Sequence, residues 1–117
     1  MKLPNAENAL VDLEKLTGYL LNPNHPRGKH KARTFELFCG FTIKDALLLQ
    51  TVLKSDAEIG EAEFLRSDEH GQRYIIRRLV GNQDKIGEIN SIWIVRTGED
   101  FPRLVTAYAQ KAKRSHE

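Results

Sequence analysis

The stretch EINSIWIVRTGEDFPRLVTAY, residues 88–108, decides the fold. Two β-rich runs flank a short turn, Gly98 to Pro102. In the first run Ile92 and Ile94 alternate with Trp93 and Val95, and both sets are apolar. Such a run reads as a central strand covered at least partly on each side. The turn between the runs is too short for a crossover, so they pair antiparallel. Arg96 ends one strand and Arg103 begins the next. The hairpin therefore brings two guanidinium forks close, a donor arrangement that can clamp a phosphate. Pairing with Glu99 and Asp100 in the turn is the competing reading. Thr106 and Tyr108 lie two apart and are expected on one face with Leu104.

Upstream, the same strand-like spacing continues back to about residue 61. EAEFLRS, the turn DEHG, QRYIIRRLV and the loop GNQDKIG (residues 81–87) give two further strands, with His70 in the turn. Four strands with short connections rich in Gly, Asn and Asp make an antiparallel meander. Before about residue 58 the apolar spacing is helical instead. Leu13, Leu16, Leu20 and Leu21 form one stripe, weakened by Gly18 and ended by Asn22-Pro23, because a residue before proline avoids the α region. A second helix is expected from Gly28 or Lys29, carrying Ala32, Phe35 and Phe38 inward and stopping at Gly40. Thr42 and Asp45 form an acidic variant of a capping box for a third helix. Its inner face is Ala46, Leu49 and Leu53, widened by Leu47 or Leu48.

The expected fold class is thus α+β, with two to three N-terminal helices packed on a four-stranded antiparallel meander, since neither layer can bury its apolar side alone. The chain reads as a single domain over residues 1–117: helical to about 58, sheet from about 59 to 110, and a polar tail over 111–117. The opposite sheet face is left open for a groove or a partner.

NPNHPRGKHKARTF, residues 22–35, departs from the rest by delivering Arg27, Lys29, His30, Lys31 and Arg33 with no acid among them. Cations at a helix start oppose the helix dipole and cost about 0.3–1 kcal/mol each. A bound phosphate would offset that, and a solvated helix start is the plainer alternative. Lys29 and Arg33 share a helix face, while Lys31 points elsewhere. His25 and His30 are candidates for proton transfer near neutral pH.

Composition sets the frame for these residues. The chain has 117 residues with 40% hydrophobic and 29% charged side chains, ordinary values for one globular domain. A formal net charge of +2 is too mild to announce nucleic-acid binding, so the clustering of charge matters more. The one cysteine, Cys39, excludes an intrachain disulfide and sits among apolar neighbours as a small buried hydrophobe. No paired Cys/His pattern supports a metal, and no cofactor is expected. Charges interrupt the opening residues, and no apolar run approaches the ~20 residues of a membrane span. The expectation is a cytoplasmic protein with no membrane association.

KLPNAENA, YLLNPNHPRGKHKARTF, GQRY and SIWIVRTGEDFPRLVTAY together resemble a bacterial family of about this length, a domain of unknown function. The resemblance covers nearly the whole chain. Members of that family occur as small stand-alone proteins, often beside another small reading frame, and related domains sit at the tips of larger toxin-like proteins. The order of elements and the LVTAY-type last strand are more distantly similar to the barnase- and RelE-like ribonuclease superfamily. That superfamily implies a cleavage needing no metal. A base deprotonates a ribose 2′-hydroxyl, the oxygen attacks the adjacent phosphorus, cations stabilise the added charge, and an acid protonates the leaving 5′-oxygen. Carried onto this chain, His25 or His30 would be base or acid. Lys31 and Arg96 would stabilise phosphate, as would Lys29 and Arg103, and Tyr108 would stack or donate a proton. Arg27, Arg33 and Thr106 would complete the phosphate or RNA contacts. The chain departs from barnase in lacking a glutamate–histidine pair on facing strands.

Three functions therefore compete. One is an endoribonuclease-like toxin neutralised by a small antitoxin protein. Another is a non-catalytic module that docks protein or nucleic acid on the open sheet face. The third is the antitoxin or immunity member of such a pair. Apolar remainder on the sheet also admits a homodimer.

Overall fold

The computed structural model describes residues 1–112. Helical segments come first and a four-stranded antiparallel sheet follows, in the order β1-β2-β3-β4. The first helix, α1 (Leu13–Lys15), passes into a π-turn (Leu16–Leu20). The second, α2 (Lys29–Thr34), also ends in a π-turn (Phe35–Cys39), and the third is α3 (Ala46–Ile59). The strands are β1 (Ala62–Asp68), β2 (Gly71–Asn82), β3 (Lys85–Arg96) and β4 (Pro102–Lys111). The fold class is the one the periodicities predict. β4 takes in Lys111, the first residue assigned to the polar tail, and residues 113–117 of that tail lie outside the described residues.

The local signals explain where each helix stops and starts. Gly40 takes a left-handed φ of 76°, which a side chain rarely adopts, and ends the second helical segment. The Asp45 carboxylate accepts the Thr42 N–H at 2.9 Å and the Thr42 hydroxyl at 3.3 Å, which starts α3. Leu16, Leu20, Leu21, Phe35, Phe41, Leu49 and Leu53 are buried together against Tyr74, Ile76, Ile89, Trp93 and Ala107 of the sheet. The Trp93 indole N–H donates to Ser91 Oγ at 2.9 Å, so the largest core side chain leaves no orphan donor.

Two expectations are corrected. Leu47 and Leu48 are 67% and 46% exposed and do not widen the α3 face. Asp56 and Ala57 continue the stripe of Ala46, Leu49 and Leu53 instead, because a single helical layer leaves the other flanks of α3 in solvent. Residues 81–87 are not a loop either. β2 and β3 pair without a break to Asn82 and Lys85 and turn through Gln83, at φ 62°, and Asp84. Gly81 and Gly87 punctuate no loop. A Cβ on Gly81 would lie 1.8 Å from the Lys85 carbonyl oxygen, and one on Gly87 would lie 2.7 Å from Cys39 Sγ.

Asp56 is the one buried acid of the helical layer, 4% exposed, with Arg78 Nε of β2 at 3.4 Å. Burial outweighs the arginine and pushes its carboxyl up from 3.8 to about 6. The folded state therefore favours the protonated acid. Its contribution to stability is present below pH 4 and is lost as pH rises through 6, on the order of 2–3 kcal/mol. Asp56→Asn should abolish that decline and unfold at higher urea than the parent at pH 7.5. Parallel urea titrations at pH 5 and 7.5 check this.

Candidate functional site

Register assigns the polar side chains of the sheet to faces. Ile89, Ser91 and Trp93 face the helices opposite Ala109, Ala107 and Leu104. The alternate residues of β3 look the other way, in rows across the sheet. Arg73, Ile94 and Arg103 form one row, Ile75, Ile92 and Thr106 the next, and Arg77, Asn90 and Tyr108 a third. Ile75 and Ile94 are only 3% and 7% exposed, although neither joins the helix-facing core. They form an apolar floor, Ile94 between Arg73 and Arg103 in one row and Ile75 in the next, beside the long stems of Arg73 and Arg77.

A bulge on β4 changes the expected face assignment. Trp93 pairs with Leu104 but Ile92 pairs with Thr106, so Val105 is an extra residue. Leu104 consequently turns into the helix-facing core, while Thr106 and Tyr108 turn to the uncovered face. The three do not share a face, because a one-residue insertion reverses every later side chain. The bulge also presents its polar atoms to the helical layer. Lys15 Nζ donates to the Val105 carbonyl at 2.9 Å, and Lys31 Nζ donates to Thr106 Oγ1 at 2.7 Å. Lys31 also sits 5.3 Å from the centre of the Tyr19 ring, and Tyr19 meets the His25 ring edge-on at 4.9 Å.

Near the turn after β3 the uncovered face opens into a cavity of about 480 Å³ lined by Lys15, His70, Arg73, Ile94, Arg96 and Arg103. A neighbouring cavity of about 430 Å³ shares Lys15, Arg96 and Arg103 and reaches Leu10 and Asp12. Arg96 forms no ion pair among the described residues. Arg103 is held by both carboxylate oxygens of Glu99, each at 2.8 Å, and lies 5.0 Å from the Phe101 ring. The same hydrogen bonds hold the Glu99 carboxyl below the usual carboxylate range. Asp68 is lowered likewise, first by the His70 backbone N–H and then by Arg73.

Of the residues expected at a site, Lys31, Arg96, Arg103, Thr106 and Tyr108 lie on the uncovered face or its β4 rim. Lys29, His30 and Arg33 do not. They line a separate cavity of about 720 Å³ on another side of α2. His25 has a structural duty: its Nδ1 accepts the backbone N–H groups of Arg27 and Gly28 at 3.0 and 2.9 Å. That pins the turn into α2 and leaves only Nε2 for other work. Gly28 permits the tight packing there, since a Cβ would lie 2.2 Å from the Tyr19 carbonyl oxygen. The Arg27 side chain belongs to an exposed residue of that turn. Cys39 is fully buried and its thiol is pushed up to about 11, so it carries no thiolate at neutral pH. Among the described residues no three His, Cys, Asp or Glu side chains gather as a metal site requires.

Lys15, Arg73, Tyr19 and Asn90 were not legible as site residues. Lys15 reads as the polar side of the first helix, and only the third dimension brings it to β4. Arg73 carries a usable signal, lying two residues before Ile75 on the same strand face. Asn90 is fully buried between Arg77 and Tyr108, and among the described residues neither its amide oxygen nor its nitrogen has a hydrogen-bond partner. A buried unpaired amide costs about 1–3 kcal/mol.

The chain is thus a small α+β domain whose antiparallel meander is helix-covered on one face and lined with cations on the other. A chain of a contact-dependent growth inhibition toxin–immunity protein complex from Klebsiella pneumoniae 342 shares this fold. It has a TM-score of 0.58 and 14% identity, over 92% of this chain and 97% of that one. No curated protein matches the sequence. The family itself is settled by residues 2–111, which match the model of DUF6883, a domain of unknown function. The chain belongs to that family.

Asn90→Leu should raise the stability by about 1–2 kcal/mol in urea denaturation, because it removes two unpaired polar atoms at similar volume. An unchanged or lower midpoint would mean that the amide finds partners in solution.

Proposed function

We propose that the chain is the toxin member of a toxin–immunity pair, a cytoplasmic endoribonuclease that cleaves RNA on its uncovered sheet face without a metal. The observation that carries this reading is the Lys31–Thr106 contact at the β4 bulge, in the rows between Arg103 and Tyr108. It sets a cation, two hydroxyls and an arginine-lined cavity along one strand. The shared fold with a chain of a toxin–immunity complex supports a small neutralising protein as partner.

In this reading Lys31 holds the scissile phosphate beside Thr106 and Tyr108 and stabilises the added charge as phosphorus becomes five-coordinate. Arg96, unpaired among the described residues and ~13 Å further along the sheet, holds a neighbouring backbone phosphate. The 2′-oxygen bonds to phosphorus and the bond to the 5′-oxygen breaks, giving a 2′,3′-cyclic phosphate and a free 5′-hydroxyl. Tyr108 supplies the proton to the 5′-oxygen. The proton of the 2′-hydroxyl passes to solvent water, because His25 Nδ1 already accepts two backbone N–H groups and the neutral ring therefore carries its proton on Nε2, which can donate to a phosphate oxygen but not act as the base. His25 is still better placed than His30 to reach that phosphate. It lies next to Lys31 through Tyr19, whereas His30 lines the other cavity.

One observation favours a second reading, a module that binds RNA without cutting it. Three acids on or beside the uncovered face are engaged by arginines: Glu63 by Arg77 at 2.9 Å, Asp68 by Arg73, and Glu99 by Arg103. None of these is free to act as a base.

Induced expression in bacteria, followed by mapping of RNA ends, separates the readings. The toxin reading expects growth arrest, new 5′-hydroxyl ends, and rescue by an immunity gene from an adjoining reading frame. Lys31→Ala should cut cleavage about 10²–10³-fold, and Arg96→Ala should weaken RNA binding more than it slows the cleavage step. Their stability should stay within about 0.5 kcal/mol of the parent. RNA that is bound without new ends would establish the binding module. Protection of cells from a partner's toxicity would make the chain the immunity member.

A further inference from the structure

The cavity on the far side of α2 has no part in the chemistry above. Its volume is about 720 Å³, inside the roughly 300–1,000 Å³ range of ligand sites. Lys29, His30 and Arg33 enter it from α2, and Lys44 enters from the turn before α3. Glu36 is its one acid, and it pairs with none of them. Lys29, Arg33 and Lys44 form no ion pair among the described residues, although seven ion pairs occur elsewhere among them. Surface cations left unpaired around a concavity favour an anionic ligand over self-satisfaction.

The lining also says what kind of anion. The floor is aliphatic, with Leu21 at 2% and Ala32 at 7% exposure, and no Phe, Tyr or Trp of the described residues lines the cavity. A nucleobase would have only the exposed His30 ring and the Arg33 guanidinium to stack on, whereas three cations are available to phosphate. The cations are exposed rather than buried, so they suit phosphates that stay partly hydrated, those of a polynucleotide backbone. α2 links this cavity to the sheet face. Lys29 and Arg33 point into it, while Lys31 of the same helix reaches Thr106 on β4. A helix about 10 Å across separates the two sets of cations.

We propose that this cavity is a second RNA-backbone site. RNA cut or held on the sheet face passes over α2 and is gripped by Lys29, Arg33 and Lys44, so the substrate is a folded RNA well beyond the reacting dinucleotide. The proposal rests on the RNA reading of the sheet face but not on cleavage. A free mononucleotide or a trinucleotide cannot reach both sides of α2.

The test is a fluorescence-anisotropy titration of the full chain with two labelled probes, a 2′-O-methyl RNA hairpin of about 20 nucleotides, which cannot be cut, and a 2′-O-methyl trinucleotide. The triple variant Lys29→Gln, Arg33→Gln, Lys44→Gln should bind the hairpin at least tenfold more weakly at 0.1 M salt. Its plot of log affinity against log salt should flatten by about 2, as expected when up to three phosphate contacts are lost. Its affinity for the trinucleotide should not change. An unchanged hairpin slope, or no hairpin binding by the parent, overturns the second site. So does poly-glutamate binding that is as tight as the hairpin's and is lost in the same variant, since that marks a surface for acidic protein. Hairpin binding that behaves as expected in a chain that cuts no RNA in cells leaves the second site standing and removes only the nuclease.

Discussion

The extra residue at Val105 is the constraint on which the functional face depends. With a regular β4, Thr106 would share the side of Leu104 and be buried against the helices, and the sheet's free face would lose its hydroxyls. The bulge lets one strand serve both layers: Leu104, Ala107 and Ala109 complete the core, and Thr106 and Tyr108 face outward. It also frees a carbonyl and a hydroxyl at the strand's outer edge, where two lysines from different helical segments reach them. The helical layer is thus tied to the sheet through polar contacts at that edge as well as through the core. A strand that only filled space would need no such insertion.

The residue pattern revealed the fold to the level of element order, because the two periodicities differ so clearly on either side of Gly60. Trp93 between Ile92 and Ile94 marked a strand inside the sheet, and Thr42 with Asp45 marked a helix start. Failures came where one residue type serves two physical ends. Gly81 and Gly87 look like loop punctuation but mark close approach of other atoms, so the β2–β3 hairpin is longer than the sequence suggests. Leu47 and Leu48 look like core but stand in solvent.

The site was legible in its parts and not in its grouping. Arg96 and Arg103 were brought together by a hairpin short enough to read from sequence. Lys31 and Thr106 are 75 residues apart, and no local pattern predicts their contact. Within the basic segment, helix spacing already set Lys31 apart from Lys29 and Arg33, but not the cavity or strand that each side meets. On a helix, consecutive residues diverge by about 100°, so Lys31 and its neighbours Lys29 and Arg33 work on different sides of α2. A bulge is harder still to foresee, because Val105 is as good a strand residue as any around it.

The first ten residues touch both margins of the sheet. The Met1 carbonyl accepts the Ala62 N–H at the start of β1, at 2.7 Å. Leu10 lies parallel to β4, donating to the Pro102 carbonyl at 3.0 Å and accepting from the Leu104 N–H at 2.9 Å. Asn5 donates to the Asp100 carbonyl, 95 residues further on. Leu10 and its β4 partners are separated in sequence by most of the fold, and contacts so distant are slow to form. At Pro102 and Leu104 the outer edge of β4 is already occupied by Leu10, so that stretch offers no template for a strand of another chain.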